Sequence, residues 1–365
     1  MSAAGPEDDD PAADRVATRL RDADFVRLVA TADGDALAAT GLLARALREC
    51  DVPFQASLAA VPRTPATDAD CTVAIGHATG DVTLRSTPLS MRAVDVAREL
   101  AAESVDPELA LAGAVSAGVE PSGALLEAAA LERRLGVALP TTDRIDGLVG
   151  STLFHAPFSG DEAAVESALD GSDGDDREFA SFVALSAVQD APPRAAEAVE
   201  RALYPYECGR FETLGGYADV LDAVARERPG TGIALALGNA IEDSALDVWR
   251  THGQRAHEAL RTAHTGRYDG VFVARCDAAE EGDGDAVPLG TVARLLLAYR
   301  SPEPIALAVV DGAAAVAAED ASGGTDALSS AAASLDGRST ARDGRGAATF
   351  DGTATDYVAA FREAL

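Results

Sequence analysis

The sequence predicts an α/β protein in which a doubly wound parallel sheet is followed by a smaller α/β domain. Two observations predict this fold class. In the N-terminal half, short apolar runs typical of buried strands alternate with segments of helical apolar spacing. In the C-terminal part, after a run of helical segments, strands follow each other through short turns, which indicates a second, smaller domain.

These patterns divide the 365 residues into four parts. Residues 1–14 form an acidic tail that we expect to be disordered. Residues 15–185 form the doubly wound domain, residues 186–264 a helical connecting region, and residues 265–365 the C-terminal domain. This length fits two to three domains at ~150 residues each.

The first βα unit is the clearest element of the sequence. Residues 25–32 (FVRLVATA) are typical of a buried parallel strand, and residues 36–49 have helical apolar spacing. Asp33-Gly34-Asp35 turns the chain between them, with Asp35 as the predicted N-cap. Further strands are predicted at 53–59, 71–75 and 82–84, and helices at 91–103, 107–115 and 122–134.

The remaining elements follow from the same patterns. Helices are predicted at 178–185, 193–203, 211–227 and 240–263, with a loop over 161–177 and a strand or a helix start at 232–237. Asp311-Gly312 is a strong turn signal and predicts a hairpin of residues 305–310 and 313–318. The C-terminal part also predicts strands at 270–275 and 348–350, helices at 289–299, 325–335 and 355–365, and a loop at 280–285.

The charge predicts a protein adapted to concentrated salt. There are 60 acidic residues and 30 basic ones, and every basic residue is arginine. Salt at about 1 M shortens the Debye length to ~3 Å and screens the repulsion of a net charge of −30. No apolar run is long enough for a membrane helix and the N-terminus lacks signal-peptide features, so we expect a cytoplasmic protein without a membrane partner.

The four cysteines favour no metal or disulfide site. Cys50, Cys71, Cys208 and Cys276 are scattered and form no CxxC pair. We therefore exclude a zinc ribbon and a disulfide framework and expect idle thiols.

Asp33 and Asp35 are the sharpest local candidates for a site. Carboxylates two residues apart at the end of a strand point to the same side and can share a cation. The alternative is a turn in which Asp35 caps the helix and Asp33 is solvated.

Five segments resemble RecJ-like members of the DHH phosphoesterase superfamily, which are metal-dependent phosphodiesterases and exonucleases. VATADGDALAATGLLARAL is similar to the first motif of that family, in which a histidine or asparagine precedes Asp-x-Asp. Segment 106–118 resembles a family segment that ends in aspartate, segments 141–161 and 212–239 resemble archaeal RecJ-like proteins, and segment 343–365 resembles the DHH-associated C-terminal domain. The segments occur in the order expected for that family. The resemblance spans nearly the whole chain and implies a DHH domain, a DHH-associated C-terminal domain and a cleft between them.

The same resemblance implies that most metal ligands are missing. The histidine of the first motif falls at Thr31, the Asp-His-His triplet has no counterpart in residues 82–90, and the motif that should end in aspartate reads GAVSA at 113–117. His77 lies near another lost ligand and is either a replacement or a plain core histidine. Because a two-metal site needs several ligands around ions about 3.5–4 Å apart, Asp33 and Asp35 suffice only for a single, weakly bound Mn²⁺ or Mg²⁺ ion.

A second candidate group lies near the C-terminus. The family's Gly-Gly-Gly-His loop reads Asp343-Gly344-Arg345-Gly346 in this chain. The glycines would let the backbone approach a phosphate, with Arg345 as its charge partner, and Arg338 and Arg342 lie nearby. We expect Gly344, Arg345, Gly346 and Arg342 to bind nucleic acid; a plain turn with solvated arginines is the alternative.

Three functions remain open at this point. The chain binds single-stranded nucleic acid in DNA replication or repair with lost or reduced hydrolysis, beside replication-helicase proteins, as inactivated RecJ relatives in eukaryotes do. Alternatively it is an active single-strand exonuclease or phosphodiesterase that uses Asp33 and Asp35, or a generic α/β small-ligand binder. Both RecJ-like readings predict Asp33 and Asp35 on one wall of the cleft and Arg345 near the other.

Overall fold

The strands form two separate sheets, which confirms the predicted fold class. The computed structural model describes residues 10–63, 68–170, 174–277, 286–319 and 323–365. Four parallel strands make the N-terminal sheet, in the order β2-β1-β3-β4. These strands are β1 (Val26–Thr31), β2 (Phe54–Ala59), β3 (Cys71–Ile75) and β4 (Val82–Leu84). Every residue of β1 is buried, as expected for a central parallel strand.

Helices pack tightly around this sheet. They are α1 (Ala13–Arg21), α2 (Gly34–Glu49), α3 (Leu89–Ala101, extended by a 3₁₀ turn at Ala102–Ser104), α4 (Pro107–Ser116) and α5 (Gly123–Ala129). Helix α2 is central, and 13 of its 16 residues are buried. Small side chains allow this: a Cβ on Gly41 would lie 2.5 Å from the Cβ of Ala236, and one on Gly113 would lie 2.6 Å from that of Ala38.

Seven helices connect this sheet to the C-terminal one in the described part of the chain. They are α6 (Arg144–Gly150), α7 (Glu162–Leu169), α8 (Asp176–Val188), α9 (Arg194–Glu200), α10 (Leu214–Glu227), α11 (Pro229–Ala236) and α12 (Glu242–Thr262). Helices α10 and α11 pack on α2 and belong to the N-terminal core. Helix α12 has 21 residues, and Trp249 on it is fully buried in the core.

The C-terminal sheet has six strands in the order β5-β6-β7-β8-β10-β9. They are β5 (His264–Tyr268), β6 (Val271–Arg275), β7 (Ile305–Val310), β8 (Ala313–Ala318), β9 (Arg338–Arg342) and β10 (Arg345–Thr349). Only the β6–β7 pair is parallel. Strands β7 and β8 form the predicted hairpin with the predicted bounds.

Helices cover both faces of the C-terminal sheet. They are α13 (Leu289–Tyr299), α14 (Gly323–Ser334) and α15 (Ala354–Ala364). Alternate residues of the strands pack against α14 and α15 on one side, whereas Ala315 and Ala317 pack towards α13 on the other. None of the described helices combines the length and apolarity that crossing a membrane requires.

The structure corrects several local predictions. The N-cap of α2 is Asp33, whose carboxylate accepts the N–H of Ala36 at 2.9 Å; Asp35 lies inside the first turn. Residues 232–237 belong to helix α11, and α7 and the start of α8 occupy much of the loop predicted at 161–177. Arg345 and Gly346 lie in β10, so that only Asp343 and Gly344 form the turn. The predicted loop at 280–285 lies outside the described residues, as do residues 1–9 of the predicted tail, and α1 begins inside that tail at Ala13.

Candidate functional site

A cavity of about 400 Å³ lies between the two sheets. The N-terminal side contributes residues from the ends of β1 and β3 and from α4 and α10, and the C-terminal side contributes β8, β9, β10 and the start of α13. Its polar and small lining residues include Thr31, Asp33, Gly76, Ser116, Arg226, Gly290, Ala315, Thr340, Arg342 and Arg345. The cavity therefore lies at the carboxyl ends of the parallel strands, where open α/β sheets form their sites.

Asp33 is held in place by its own turn. Its Oδ1 accepts the N–H of Ala36 at 2.9 Å, and its Oδ2 accepts the hydroxyl of Thr31 at 2.7 Å. These bonds fix the carboxylate at the start of α2, with 23% of the side chain still exposed. Thr31 thus donates to Asp33.

Asp35 is deeply buried and serves as an anchor for another helix. Its carboxylate accepts the N–H groups of Leu89 at 2.7 Å and Ser90 at 2.9 Å, at the start of α3. Burial raises its pKa to about 6, and the charge of Asp33 adds to that effect, while Arg342 opposes it. Asp35 therefore ties the first turn of α2 to α3 and has only part of its oxygen surface left for any other partner.

Arg342 reaches both carboxylates from the C-terminal sheet. Its Nη2 lies 3.4 Å from Oδ1 of Asp33, and its Nη1 lies 3.7 Å from Oδ2 of Asp35. Nη1 is buried and has no hydrogen-bond partner among the described residues. The two sides of the cleft thus meet through a guanidinium between two carboxylates.

Arg345 faces the cavity next to Arg342. The two residues are direct partners on the β9–β10 ladder, and partners on an antiparallel ladder point to the same face of the sheet. Within the described part of the chain, the Arg345 guanidinium makes no hydrogen bond and no ion pair. Desolvation between the cleft walls and the positive charge of the neighbouring Arg294 lower the pKa of Arg345 to about 10. The guanidinium therefore stays protonated at neutral pH.

The two glycines of this segment have different environments. Gly344 has a φ of 73° and, with Asp343 at 50°, makes the two-residue turn of the β9–β10 hairpin. A Cβ on Gly346 would lie 2.6 Å from Cδ2 of Leu328, so the missing side chain there permits packing against α14. The backbone of Gly346 still lines the cavity.

Asp222 and Arg226 on α10 form a third charged group, which the sequence analysis did not identify. Asp222 accepts the N–H of Gly34 at 3.1 Å and two N–H groups of Arg226 at 3.0 and 3.1 Å. Burial alone would raise the pKa of Asp222, but the Arg226 guanidinium holds it below its usual value. A Cβ on Gly290 would lie 2.7 Å from Nη1 of Arg226, so this glycine leaves room for the guanidinium at the cavity wall. The i,i+4 spacing of Asp222 and Arg226 was the only available sequence signal.

His77 does not contribute to the cavity. Its Nε2 donates to the carbonyl of Val29 at 2.9 Å, and its Nδ1 accepts the N–H of Thr79 at 3.4 Å. Burial lowers its pKa. Both ring nitrogens are engaged, so the side chain is a core histidine in this structure.

With Arg342 between the two aspartates, the described residues do not fit a divalent metal centre. Among the described residues, no group of three or more histidine, cysteine, aspartate or glutamate side chains is arranged to hold a metal ion. Ser116 and Ala117, from the motif that should end in aspartate, line the cavity without a carboxylate. Asp33 and Asp35 remain, and the cation between them is Arg342.

Comparisons with known proteins agree with this architecture. The chain is 50% identical over 367 residues to "Uncharacterized protein rrnAC1427" of Haloarcula marismortui, with 96% of each chain covered. The family model described as "Uncharacterized protein rrnAC1427, C-terminal domain" matches residues 263–363.

Two solved structures share the fold at low sequence identity. RecJ from Thermus thermophilus in complex with Mn²⁺ superposes with a TM-score of 0.51 at 16% identity, over 99% of this chain. The chain spans 55% of that RecJ chain. CDC45 from Entamoeba histolytica superposes with a TM-score of 0.54 at 10% identity, over 96% of this chain and 97% of that one.

Proposed function

Since the chain belongs to the family of the Haloarcula marismortui protein rrnAC1427 and has the fold of the DHH phosphoesterase superfamily, we propose that it binds single-stranded nucleic acid in its cleft. In this proposal it is an archaeal RecJ-type chain with degenerate catalytic motifs. It acts in DNA replication or repair in a salt-adapted cytoplasm, and it does not hydrolyse the strand.

The observation that carries the proposal is the arginine lining of the cleft. Arg226, Arg342 and Arg345 line one cavity in a chain with a net charge of −30. Arg345 has no ion-pair partner among the described residues, so its guanidinium is available to a phosphate. Guanidinium groups bind phosphate oxygens through two parallel hydrogen bonds, which makes a phosphodiester the best-matched ligand.

Small side chains beside the arginines favour an extended strand as the ligand. Thr340 and Arg342 on β9 pair with Ala347 and Arg345 on β10 and share their face, and Ala315 continues it on β8. This low surface leaves room for sugars and bases next to the phosphate contacts. Because no aromatic side chain lines the described cavity, we expect affinity to depend on phosphate contacts more than on base stacking.

We expect no hydrolysis because the cleft has few metal ligands and because Arg342 lies at the two carboxylates that it does have. A two-metal phosphodiesterase needs bridging and terminal ligands for both ions, and the cleft retains only Asp33 and Asp35 of the expected set. Arg342 already pairs with both. A binding subunit beside replication-helicase proteins is therefore the role that we propose, and the active single-strand exonuclease is the alternative that the experiment must exclude.

The test measures binding and cleavage of the same labelled single-stranded DNA at about 2 M KCl, where long-range charge effects are screened. We expect wild type to bind and Arg345→Ala to bind about tenfold more weakly, since a hydrogen bond to a charged group contributes roughly 1.5–3 kcal/mol. Arg201→Ala is the matched control, because Arg201 is 60% exposed and does not line the cavity.

Cleavage distinguishes the two functions. With Mn²⁺ added, we expect no more product from wild type than from the Asp33→Ala/Asp35→Ala double variant. Cleavage by wild type that disappears in the double variant would identify an exonuclease instead. Equal binding by wild type and Arg345→Ala would contradict the proposed binding cleft.

A further inference from the structure

Arg342 lies at the position where Asp33 and Asp35 would share a cation. Its two terminal nitrogens lie 3.4 Å and 3.7 Å from one oxygen of each carboxylate. Its side chain is only 19% exposed, and Asp35 is 1% exposed. A positive charge thus lies within 4 Å of an oxygen of each carboxylate.

The other hydrogen bonds of Asp33 and Asp35 leave the space that Arg342 fills as the one side on which both carboxylates can accept a further contact. Asp35 uses both oxygens on the start of α3, and Asp33 uses both on its own turn and on Thr31. A carboxylate offers about four acceptor positions, so each aspartate keeps further capacity. That capacity is directed at Arg342, whose Nη1 is buried without a hydrogen-bond partner among the described residues.

The hairpin that carries Arg342 is itself attached to the N-terminal side. Arg342 is the last residue of β9, and the following Asp343 accepts a hydrogen bond from the hydroxyl of Thr87. Asp343 also lies 3.7 Å from Nε of Arg342. The guanidinium therefore lies next to a two-residue turn whose Asp343 contacts both Thr87 and Arg342.

We infer that the Arg342 guanidinium takes the place of a divalent cation at Asp33 and Asp35, so that removing this one group opens a Mn²⁺ site there. The reason is both electrostatic and steric. A fixed cation neutralises the pair and fills the space between the carboxylates, and without it two carboxylates completed by water are a sufficient set for a weak site, as in many Mg²⁺ sites. The inference does not depend on nucleic-acid binding.

Mn²⁺ binding in the absence of nucleic acid tests the inference, with free Mn²⁺ followed by electron paramagnetic resonance. The measurement is made at about 2 M KCl, which weakens nonspecific binding to the acidic surface. We expect Arg342→Ala to bind one Mn²⁺ per chain more than wild type and Arg342→Ala/Asp33→Asn to lose that ion. Arg342→Lys keeps a cation at this position and should behave as wild type.

Wild type provides a second test that needs no arginine variant. Wild type and Asp33→Asn should bind the same amount of Mn²⁺, because the guanidinium already fills the site. Mn²⁺ binding by wild type that depends on Asp33 would overturn the inference. So would a folded Arg342→Ala chain, verified by circular dichroism, that binds no additional ion.

Discussion

At the scale of single residues, Asp35 is a candidate site residue whose contacts serve the fold. Its carboxylate, in the first turn of α2, accepts two backbone N–H groups of α3. It therefore joins two helices that are far apart in sequence. Because it is buried beside Asp33, its ionised form is disfavoured, and its pKa is raised from 3.8 to about 6.

This raised pKa predicts a pH-dependent stability that Asp35→Asn removes. Between pH 4 and 6 the folded chain keeps the Asp35 proton that the unfolded chain has released, so stability falls as pH rises. A shift of about two units corresponds to at most about 3 kcal/mol. We expect the unfolding free energy of wild type to fall relative to Asp35→Asn by up to that amount from pH 4 to pH 7, measured by urea unfolding in concentrated salt.

Taking the difference cancels the titration of the other carboxylates, which the two chains share. A wild-type-minus-variant difference that stays constant over this pH range would mean that Asp35 titrates normally. A difference that changes in the opposite direction would mean that Arg342 dominates over burial.

The positions of Asp33 and Asp35 at the end of β1 can be predicted from the sequence, but the residues that they contact cannot. Asp33 and Asp35 were predicted at the end of β1, where they lie, but the cap was assigned to Asp35. Their contacts are with Leu89, Ser90 and Arg342, which are distant in sequence. Local propensity holds no information on such partners, and for the same reason Asp222 and Arg226 were missed.

At the scale of elements, the buried His257 and the half-buried His155 join α12 to the segment after α6. Nε2 of His257 lies 2.8 Å from the carbonyl of Ser151, and the two Nδ1 atoms of His257 and His155 lie 3.0 Å apart. A carbonyl only accepts, so Nε2 of His257 carries its proton. Nδ1 of His257 therefore accepts, and Nδ1–H of His155 donates to it.

This arrangement requires His257 to be neutral, because its Nδ1 accepts a hydrogen bond. Burial lowers the pKa of His257 to about 3 and that of His155 to about 4, with nearby positive groups adding to the effect. Because the folded-state pKa values lie below the ordinary 6.5, the stabilisation is present above pH 6.5 and is lost as pH falls towards 4.

His155→Phe tests this pair, because it keeps a ring beside Tyr299 and removes the titrating group. We expect the variant to be less stable than wild type at pH 7 and the gap to narrow by up to about 3 kcal/mol on acidification to pH 4. Thermal unfolding across this range provides the measurement, with His264→Gln, at an exposed position, as the control. A stability difference between wild type and His155→Phe that does not change with pH would show that protonation of the pair is not coupled to unfolding.

The elements that sequence reasoning found and missed differ in periodicity. β1, the β7–β8 hairpin and α12 have strong apolar patterns and were predicted within one to two residues of their bounds. Strand β9 (RSTAR) is an edge strand with little apolar character and was not predicted. Its strand conformation depends on pairing with β10 and on the Asp343-Gly344 turn, which a window along the sequence does not reveal.

At the scale of the whole molecule, the fold brings a few arginines together in one cavity of a chain whose net charge is strongly negative. The chain carries 60 acidic and 30 basic residues, yet Arg226, Arg342 and Arg345 line one cavity between the two sheets. A nucleic acid approaching from a distance meets a repulsive molecule. At the cleft it meets guanidinium groups at close range.

Added salt screens the long-range repulsion, which raises the affinity, and weakens the phosphate contacts, which lowers it. The balance of the two effects predicts how the proposed binding depends on salt. Above about 1 M KCl the Debye length is ~3 Å, so long-range repulsion is screened and only close contacts count. Each phosphate contact to a single strand contributes about −0.7 to the slope of log K against log salt concentration. Arg345, the cavity arginine without an ion pair among the described residues, predicts a slope of about −0.7 between roughly 1 and 3 M KCl, and phosphate contacts from Arg226 and Arg342 as well would bring it to about −2. Fluorescence anisotropy with labelled single-stranded DNA measures it.

Arg345→Ala should make this slope less negative by about 0.7, because one phosphate contact is lost. Arg201→Ala, outside the cavity, should leave it unchanged. A slope several times steeper than −2 would mean that the strand follows a path with many more cationic contacts than the cleft offers. A slope that Arg345→Ala does not alter would mean that the strand binds elsewhere on the molecule. A moderate slope is also what allows a cleft with few arginines to hold a polyanion in concentrated salt, where a surface that relied on many weak ion pairs would release it.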